Sequence, residues 1–212
     1  MKYLGIDTTK KQSYLFLGDE NEKIFKVLPP YEKHSETLMI NIDNFLSENN
    51  TKLSDIDVFA NVSGPGSFTG IRIGLAVIKA FAYAKNKKVV NLSVFDLLKD
   101  YVKNGLLLLE CTSSSVYFAN ISKSKVVDYG VVDKKDLDKF IEDKEVFVLA
   151  DEQISDDISY KVNVIDTYGK IANNQIQKAV MSKNFVDNPE PFYIQLSQAE
   201  RALKEKENSE GK

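Results

Sequence analysis

One segment of the chain has the residue types of an anion-binding loop. Ser63-Gly64-Pro65-Gly66-Ser67-Phe68-Thr69-Gly70 lies between an apolar run and a helical one. Glycines let backbone N–H groups approach a ligand, and the first turn of a helix attracts anions. After this segment, however, come Ile71 and Arg72 instead of Gly-Lys-Ser/Thr, and its glycines do not match Gly-x-Gly-x-x-Gly. A Walker-type NTPase is therefore not predicted, and we expect Ser67 or Thr69 to cap the following helix.

Other reactive side chains are few. The chain has one cysteine, Cys111, and one histidine, His34, which rules out an internal disulfide and a cysteine-cluster metal site. A nucleophile among Ser63, Ser67 and Thr69 would have only His34 to activate it, so none is predicted. We expect Cys111 to be a small buried hydrophobe, and His34 to cap a helix or to form a hydrogen bond at an interface.

The composition is that of an ordinary soluble globular protein. The 212 residues are 43% hydrophobic and 28% charged, with a formal net charge of -3, which gives no overall attraction to nucleic acid or membrane. No apolar run approaches the roughly 20 residues of a membrane span. The segment from Met1 to Asp7 is too short and too soon acidic for a signal peptide. We therefore expect a cytoplasmic protein.

The two halves of the chain predict the same order of elements. In the first half, strands at residues 2–8, 13–17 and 23–28 precede a helix from about 35 to 49, a strand at 56–62, a helix at 71–84, a strand at 88–92 and a helix at 94–103. In the second half, strands at 106–110, 115–121 and 125–132 precede a helix at 134–142, strands at 145–150 and 162–165 and a helix at 168–181. This repeat predicts two α/β lobes, 1–103 and 104–204, and a disordered tail, 205–212. Residues 189–194 are expected to lie extended against a lobe, and 198–207 to form a charged helix.

The helix at residues 71–84 is apolar nearly all round, because Arg72 and Lys79 are its only charged residues. A helix of this kind is covered on all sides, by its own chain or by a partner. Small residues recur at four-residue spacing, which lets another helix approach closely. The sequence leaves both kinds of cover open.

Four motifs carry a family resemblance: Ile6-Asp7-Thr8, His34-Ser35-Glu36-Thr37-Leu38-Met39, the segment from Gly64 to Gly74, and Pro191-Phe192-Tyr193. With these motifs the chain resembles the TsaB family, also called YeaZ. The resemblance implies an α/β, duplicated actin-like fold of the sugar kinase/Hsp70, ribonuclease H-like type, with a mixed sheet and helices in each of two lobes. Two segments depart from the family pattern, Glu110 to Ser115 and Gln195, so no role is carried over to them.

The resemblance also implies a function. TsaB proteins act with a related catalytic subunit, TsaD, and the ATPase TsaE to place threonylcarbamoyl on adenosine 37 of tRNA. By resemblance, this chain is a non-catalytic partner subunit that binds a TsaD-like protein and meets tRNA only through the complex. ATP, ADP and metal are then expected on the partner subunits or at their interface, with no cofactor in the isolated chain. A homodimer of the isolated chain is also possible.

A rival function is a self-contained, actin-like, ATP-dependent small-molecule kinase or phosphatase that uses Asp7 to hold a magnesium-bound water. Such enzymes cradle ATP with glycine-rich loops. Here neither the residues after Asp7 nor the segment Glu110 to Ser115 contains a glycine, and the glycines after Lys103 are single. We therefore expect Asp7 to accept a structural hydrogen bond. A metallopeptidase would need a His-x-x-x-His pair, but Leu38 stands four residues after His34.

The two apolar helices of the first half predict a partner interface. Packed side by side, they would offer a homologous chain a groove of small residues, giving a four-helix interface with pseudo-twofold symmetry. The isolated chain is then expected to self-associate through the same patch. The expected contact residues are His34, Leu38, Met39, Ile42, Phe45, Gly70, Ile73, Gly74, Val77, Ala80, Phe81 and Ala84.

Overall fold

The structure is a computed structural model that describes residues 1–29, 34–141, 143–154, 158 and 161–195, with only the backbone of residues 34 and 35. The elements stack in five layers: a helix pair, a five-stranded sheet, a second helix pair, a second five-stranded sheet and a short helix. The predicted tail at 205–212 and the predicted helix at 198–207 lie outside the described residues.

The first sheet has the strand order β3-β2-β1-β4-β5. Its strands are β1 (Tyr3–Asp7), β2 (Tyr14–Gly18), β3 (Lys23–Val27), β4 (Val58–Val62) and β5 (Lys88–Leu92). The first three strands pair antiparallel, whereas β4 and β5 run parallel to β1. All five side chains of β1, β2 and β4 are buried, because helices cover both faces of the sheet.

One face of this sheet is covered by α1 (His34–Glu48) and α2 (Phe68–Lys85), whose apolar side chains join those of β1, β2 and β4 in one cluster. Ser67 caps α2 by accepting a hydrogen bond from the backbone N–H of Gly70, as predicted, at 3.2 Å. The helix ends where Asn86 adopts a left-handed conformation.

The second sheet repeats the order of the first as β8-β7-β6-β9-β10. It contains β6 (Gly105–Glu110), β7 (Ser115–Ser122), β8 (Lys125–Asp133), β9 (Val146–Leu149) and β10 (Val162–Ile165). Strands β6, β7 and β8 pair antiparallel, and β9 and β10 extend the sheet in parallel from β6. The short helix α4 (Leu137–Ile141) covers its outer face. Both halves thus have the same mixed topology, which confirms the predicted duplicated α/β fold.

Between the sheets lie α3 (Val94–Val102) and α5 (Tyr168–Met181). Their apolar faces form one cluster with side chains of both sheets. Although α5 follows the second sheet in the chain, it packs against β1, β2, β3 and β5 of the first. The two halves therefore share a core, and the lobe boundary at residues 103 and 104 stays a prediction.

The predicted elements agree with the structure, with small differences at α4 and β9. Residues 134–142, predicted as one helix, begin as a 3-10 turn at Lys134–Asp136 before α4. The chain from Val186 to Phe192 lies extended against β5 and the loop after β4, as expected. None of the helices in the described ranges combines the length and apolar character that spanning a bilayer requires.

Replacing Asn173 by alanine should destabilise the protein, because this buried side chain fastens α5 to the first sheet. Its Oδ1 accepts from the hydroxyl of Tyr3 at 2.7 Å, and its Nδ2 donates to the carbonyl of Ile24 at 2.8 Å. Both partners lose their hydrogen bonds, at a cost of about 2 kcal/mol in the free energy of unfolding. Urea denaturation measures this loss. Lys170→Ala, at an exposed position of α5, is the control and should change stability by less than about 0.5 kcal/mol; equal losses would contradict the assignment.

Candidate functional site

The actin-like topology places the ends of β1, β4, β6 and β9 around a cleft of about 280 Å³. Behind the cleft lining, Asp7 is fully buried. One carboxylate oxygen accepts from the backbone N–H and the hydroxyl of Thr9, at 2.8 and 2.6 Å, and the other accepts from the hydroxyl of Tyr168 at 2.5 Å. Both oxygens of Asp7 are thus engaged by the chain itself, which supports the structural role expected for this residue.

Lys10 closes the space in front of Asp7. Its side chain is 5% exposed, and its ammonium lies 3.8 Å from Asp7 Oδ2 and 2.9 Å from the ring centre of Tyr168. Burial lowers the pKa of Lys10, although the charge of Asp7 acts in the opposite direction. The ammonium has no hydrogen-bond acceptor within the described chain, so its charge is held by Asp7 and the aromatic face. A cation of the chain itself therefore stands beside the carboxylate that would hold a magnesium-bound water.

The opposite wall of the cleft is acidic. Glu152 accepts a hydrogen bond from the backbone N–H of Glu110 at 2.7 Å, which ties the turn after β9 to the end of β6. Burial raises the pKa of Glu152 to about 8, against the attraction of Lys10. Asp151 lies beside it, and Glu110 pairs with Lys11 at 2.9 Å. Cys111, expected to be buried, is half-buried in the cleft lining.

In the glycine-rich loop, the space beside the glycines is occupied by backbone atoms of the protein itself. A side chain at Gly66 would collide with the carbonyl of Thr9, and one at Gly70 would collide with the carbonyl of Thr8. The Thr9 carbonyl accepts from the N–H of Ser67 at 2.7 Å. The glycines therefore allow a close approach of the chain after β1, not of a phosphate.

The described residues include no group of three His, Cys, Asp or Glu side chains that could hold a metal ion. His34 begins α1, but its side chain is outside the described part of the chain. Asp7, the weak cofactor candidate, does not line the cleft.

The residues predicted for the partner interface differ in how far the structure buries them. Five of them are buried inside the chain and offer a partner no surface, which corrects the predicted set: Leu38, Ile42, Phe45, Gly70 and Gly74. Three others are exposed, namely Met39, Ala80 and Ala84, and three are half-buried, namely Ile73, Val77 and Phe81. The interface itself stays a prediction.

Apolar side chains nevertheless remain on the outer surface of α1 and α2, next to exposed charged residues such as Asp43 and Lys79. Met39 and Ile40 of α1 are 52% and 61% exposed, and Tyr83 of α2 is 91% exposed. Between them α2 presents Ala76, Ala80 and Ala84, all exposed. We call this surface the outer face: Met39, Ile40, Ile73, Ala76, Val77, Ala80, Tyr83 and Ala84. Its small residues on α2 would let a partner helix approach closely.

Three features of the site escaped the sequence analysis. No motif marks Lys10, which is buried because Tyr168, distant in sequence, folds over it. Glu152 follows a strand with no motif around it. The stacking of Phe68, Arg72 and Tyr193 joins two predicted motifs, but only the fold brings these motifs together.

Comparisons with known proteins agree with this topology. The sequence model of a family described as TsaD: tRNA N6-adenosine threonylcarbamoyltransferase matches residues 27–120. The chain is 26% identical to the tRNA threonylcarbamoyladenosine biosynthesis protein TsaB of Escherichia coli, over 59% of this chain and 57% of that protein. It is 23% identical to the protein of the same name from Haemophilus influenzae, over 93% of this chain and 85% of that protein.

Among solved structures, YeaZ from Pseudomonas aeruginosa superposes with a TM-score of 0.71 at 17% identity, covering 91% of this chain and 99% of that one. At this identity the match shows the fold. The resemblance to TsaB and YeaZ inferred from four motifs is thus confirmed by sequence relatives and by the fold.

The cleft should make stability depend on pH through Glu152. Burial raises the pKa of Glu152 to about 8 in the folded protein, above the 4.5 that is ordinary for a glutamate carboxyl. Because the folded state binds the extra proton in this window, stability falls as the pH rises through it. Glu152→Gln should remove this loss, so that the variant gains stability relative to wild type between pH 5 and pH 8. Urea denaturation across this range measures the difference. Glu22→Gln, at an exposed site, is the control, and a parallel pair of curves for wild type and Glu152→Gln would refute the prediction.

Proposed function

We propose that this chain, a relative of TsaB with the YeaZ fold, is a non-catalytic subunit that binds a TsaD-like protein and supports tRNA threonylcarbamoyladenosine biosynthesis. Its sequence relatives carry that biosynthetic role in their names. The observation that carries the proposal is the exposed outer face of α1 and α2, set beside a cleft at which Asp7 and Glu152 accept hydrogen bonds from the chain itself.

The region that matches the TsaD family supports a homologous partner. The matched residues, 27–120, include both helices of the outer face. A TsaD-like chain would therefore present an equivalent helix pair, and two equivalent pairs can pack around a pseudo-twofold axis. The exposed surface of α2 has only short side chains at Ala76, Ala80 and Ala84, which allows another helix to pack closely against it. A homologous partner thus fits this face in shape and in polarity.

Other parts of the proposal rest on the relatives' role. A TsaE-like ATPase is the expected third protein, tRNA is expected to bind only through the assembly, and the expected location is the cytoplasm. ATP, ADP and metal are expected on the partner subunits or at their interface. The outer face gives no information about these features, so each requires a separate experiment.

The rival kinase or phosphatase is disfavoured by the contacts around Asp7. A metal-holding carboxylate must present an oxygen to the cleft, but both oxygens of Asp7 accept hydrogen bonds from Thr9 and Tyr168. The ammonium of Lys10 lies in front of Asp7, where it would repel a divalent cation. No described contact favours a second function over the partner role.

Replacing Ala80 by glutamate should disrupt association with the TsaD-like protein. The charge would be buried without a partner at the centre of the outer face, at a cost of about 3 kcal/mol or more in binding. The side chain at this position is exposed in the isolated chain, so the fold should be retained. Sedimentation velocity of the mixed proteins measures the complex, and circular dichroism checks the fold.

Asn174→Glu is the matched control, because it adds the same charge at an exposed position of α5, a helix that lies between the two sheets. The same experiment on the isolated chain tests self-association, which Ala80→Glu should also reduce. Gly74 cannot be used for this purpose, because a side chain there would collide with the hydroxyl of Thr8. Unchanged association of Ala80→Glu with the partner would place the interface elsewhere.

A further inference from the structure

We propose that Arg72, held in a stack with Phe68 and Tyr193, anchors a carboxylate of the protein partner at the amino-terminal end of the outer face. This inference rests on the proposed function, and it adds the chemical group that the partner must supply. We call the three side chains the arginine platform.

The platform fixes an exposed guanidinium in one orientation. The rings of Phe68 and Tyr193 stack with their centres 4.5 Å apart. The Arg72 guanidinium carbon lies 4.0 Å from the centre of the Phe68 ring, and Arg72 Nε donates to the Tyr193 hydroxyl at 3.2 Å. Because these contacts hold the side chain before any partner binds, association loses less side-chain entropy than it would with a free arginine.

The charge of Arg72 is not neutralised within the described chain. No described carboxylate lies within ion-pair distance of it, and its Nη atoms have no acceptor among the described residues. A guanidinium whose Nε edge is occupied still offers N–H groups in the geometry that matches a carboxylate. The arginine platform therefore has no anion of the described chain to pair with its guanidinium.

The position of Arg72 favours a protein as the source of that anion. Arg72 is exposed one helical turn before Ala76 and two turns before Ala80, so it continues the apolar outer face. Arginine and tyrosine beside an apolar surface are typical of interfaces that carry most of their binding energy in a few residues. A nucleic acid would instead require a dense row of cations, whereas the other cations of α2, Lys79 and Lys85, stand about two and four helical turns from Arg72.

The charge of α2 disfavours a second copy of this chain. Its charged residues are Arg72, Lys79 and Lys85, and it has no acidic residue. Two copies of α2 packed against each other in antiparallel fashion would bring like charges together. A partner helix with a carboxylate near Arg72 removes this repulsion, so the platform favours a heterologous complex over a homodimer.

Substitutions at Arg72 test the anchor in mixtures with the TsaD-like protein. We expect Arg72→Ala to weaken the complex on the order of 30-fold in Kd, as for a charged anchor residue. Arg72→Lys should recover only part of this loss, because an ammonium keeps the charge but not the planar fork. Arg72→Glu should weaken the complex further without weakening self-association. Lys85→Ala, which removes an exposed cation at the other end of α2, is the matched control and should change Kd less than threefold.

The comparison with Ala80→Glu separates the two proposals. If Ala80→Glu disrupts the complex and Arg72→Ala does not, the outer face is the interface but the anchor is wrong. If neither variant changes Kd, the interface lies elsewhere and both proposals fail. Weaker self-association of Arg72→Glu would mean that the carboxylate comes from a second copy, and weaker tRNA binding at unchanged protein association would mean that Arg72 meets a phosphate. Either result would overturn the inference.

Discussion

The structure depends on a backbone contact that only glycine permits. The Thr9 carbonyl accepts from the N–H of Ser67 at 2.7 Å, and the Thr8 hydroxyl donates to the carbonyl of Gly70 at 2.7 Å. A side chain at Gly66 or Gly70 would collide with the carbonyl groups of these threonines. The contact joins the end of β1 to the start of α2 across the first sheet. It fixes the direction in which α2 leaves the sheet, and so determines which of its faces remains outside.

The same contact decides what the cleft can do. The N–H of Ser67, just before α2, donates to the carbonyl of Thr9, and Asp7 is enclosed by Thr9 and Tyr168. Lys10 is buried in front of it because the aromatic face of Tyr168 and the charge of Asp7 together offset part of its desolvation. A cleft of this kind is stabilised without a ligand. The outer face, by contrast, has no cover within the described chain.

The small residues of α2 have different roles on its inner and outer sides. Gly70 and Gly74 face inward, where they let the helix lie against the loop after β1. Ala76 and Ala80 face outward, where they leave space for a partner. At the amino-terminal end, Tyr193 of the extended segment after α5 stacks on Phe68 and orients Arg72. A segment from the end of the described chain thereby shapes the outer face formed by the first half.

The sequence by itself determined the elements, their order and the repeated α/β topology, because strand and helix periodicity is a local property that each segment carries alone. Its motifs also indicated the resemblance to TsaB. The division of α2 into an inner and an outer face was decided by tertiary structure. Gly74 and Ala80 are equally small in sequence, but Gly74 meets Thr8 only once β1 and α2 pack together. The burial of Lys10 was likewise decided by the fold, since Tyr168, more than 150 residues away, supplies the aromatic face over it. Contacts between residues so far apart in the chain leave no local sequence pattern. A lysine or a glycine is compatible with a surface position, and only the folded structure shows which distant residue covers it.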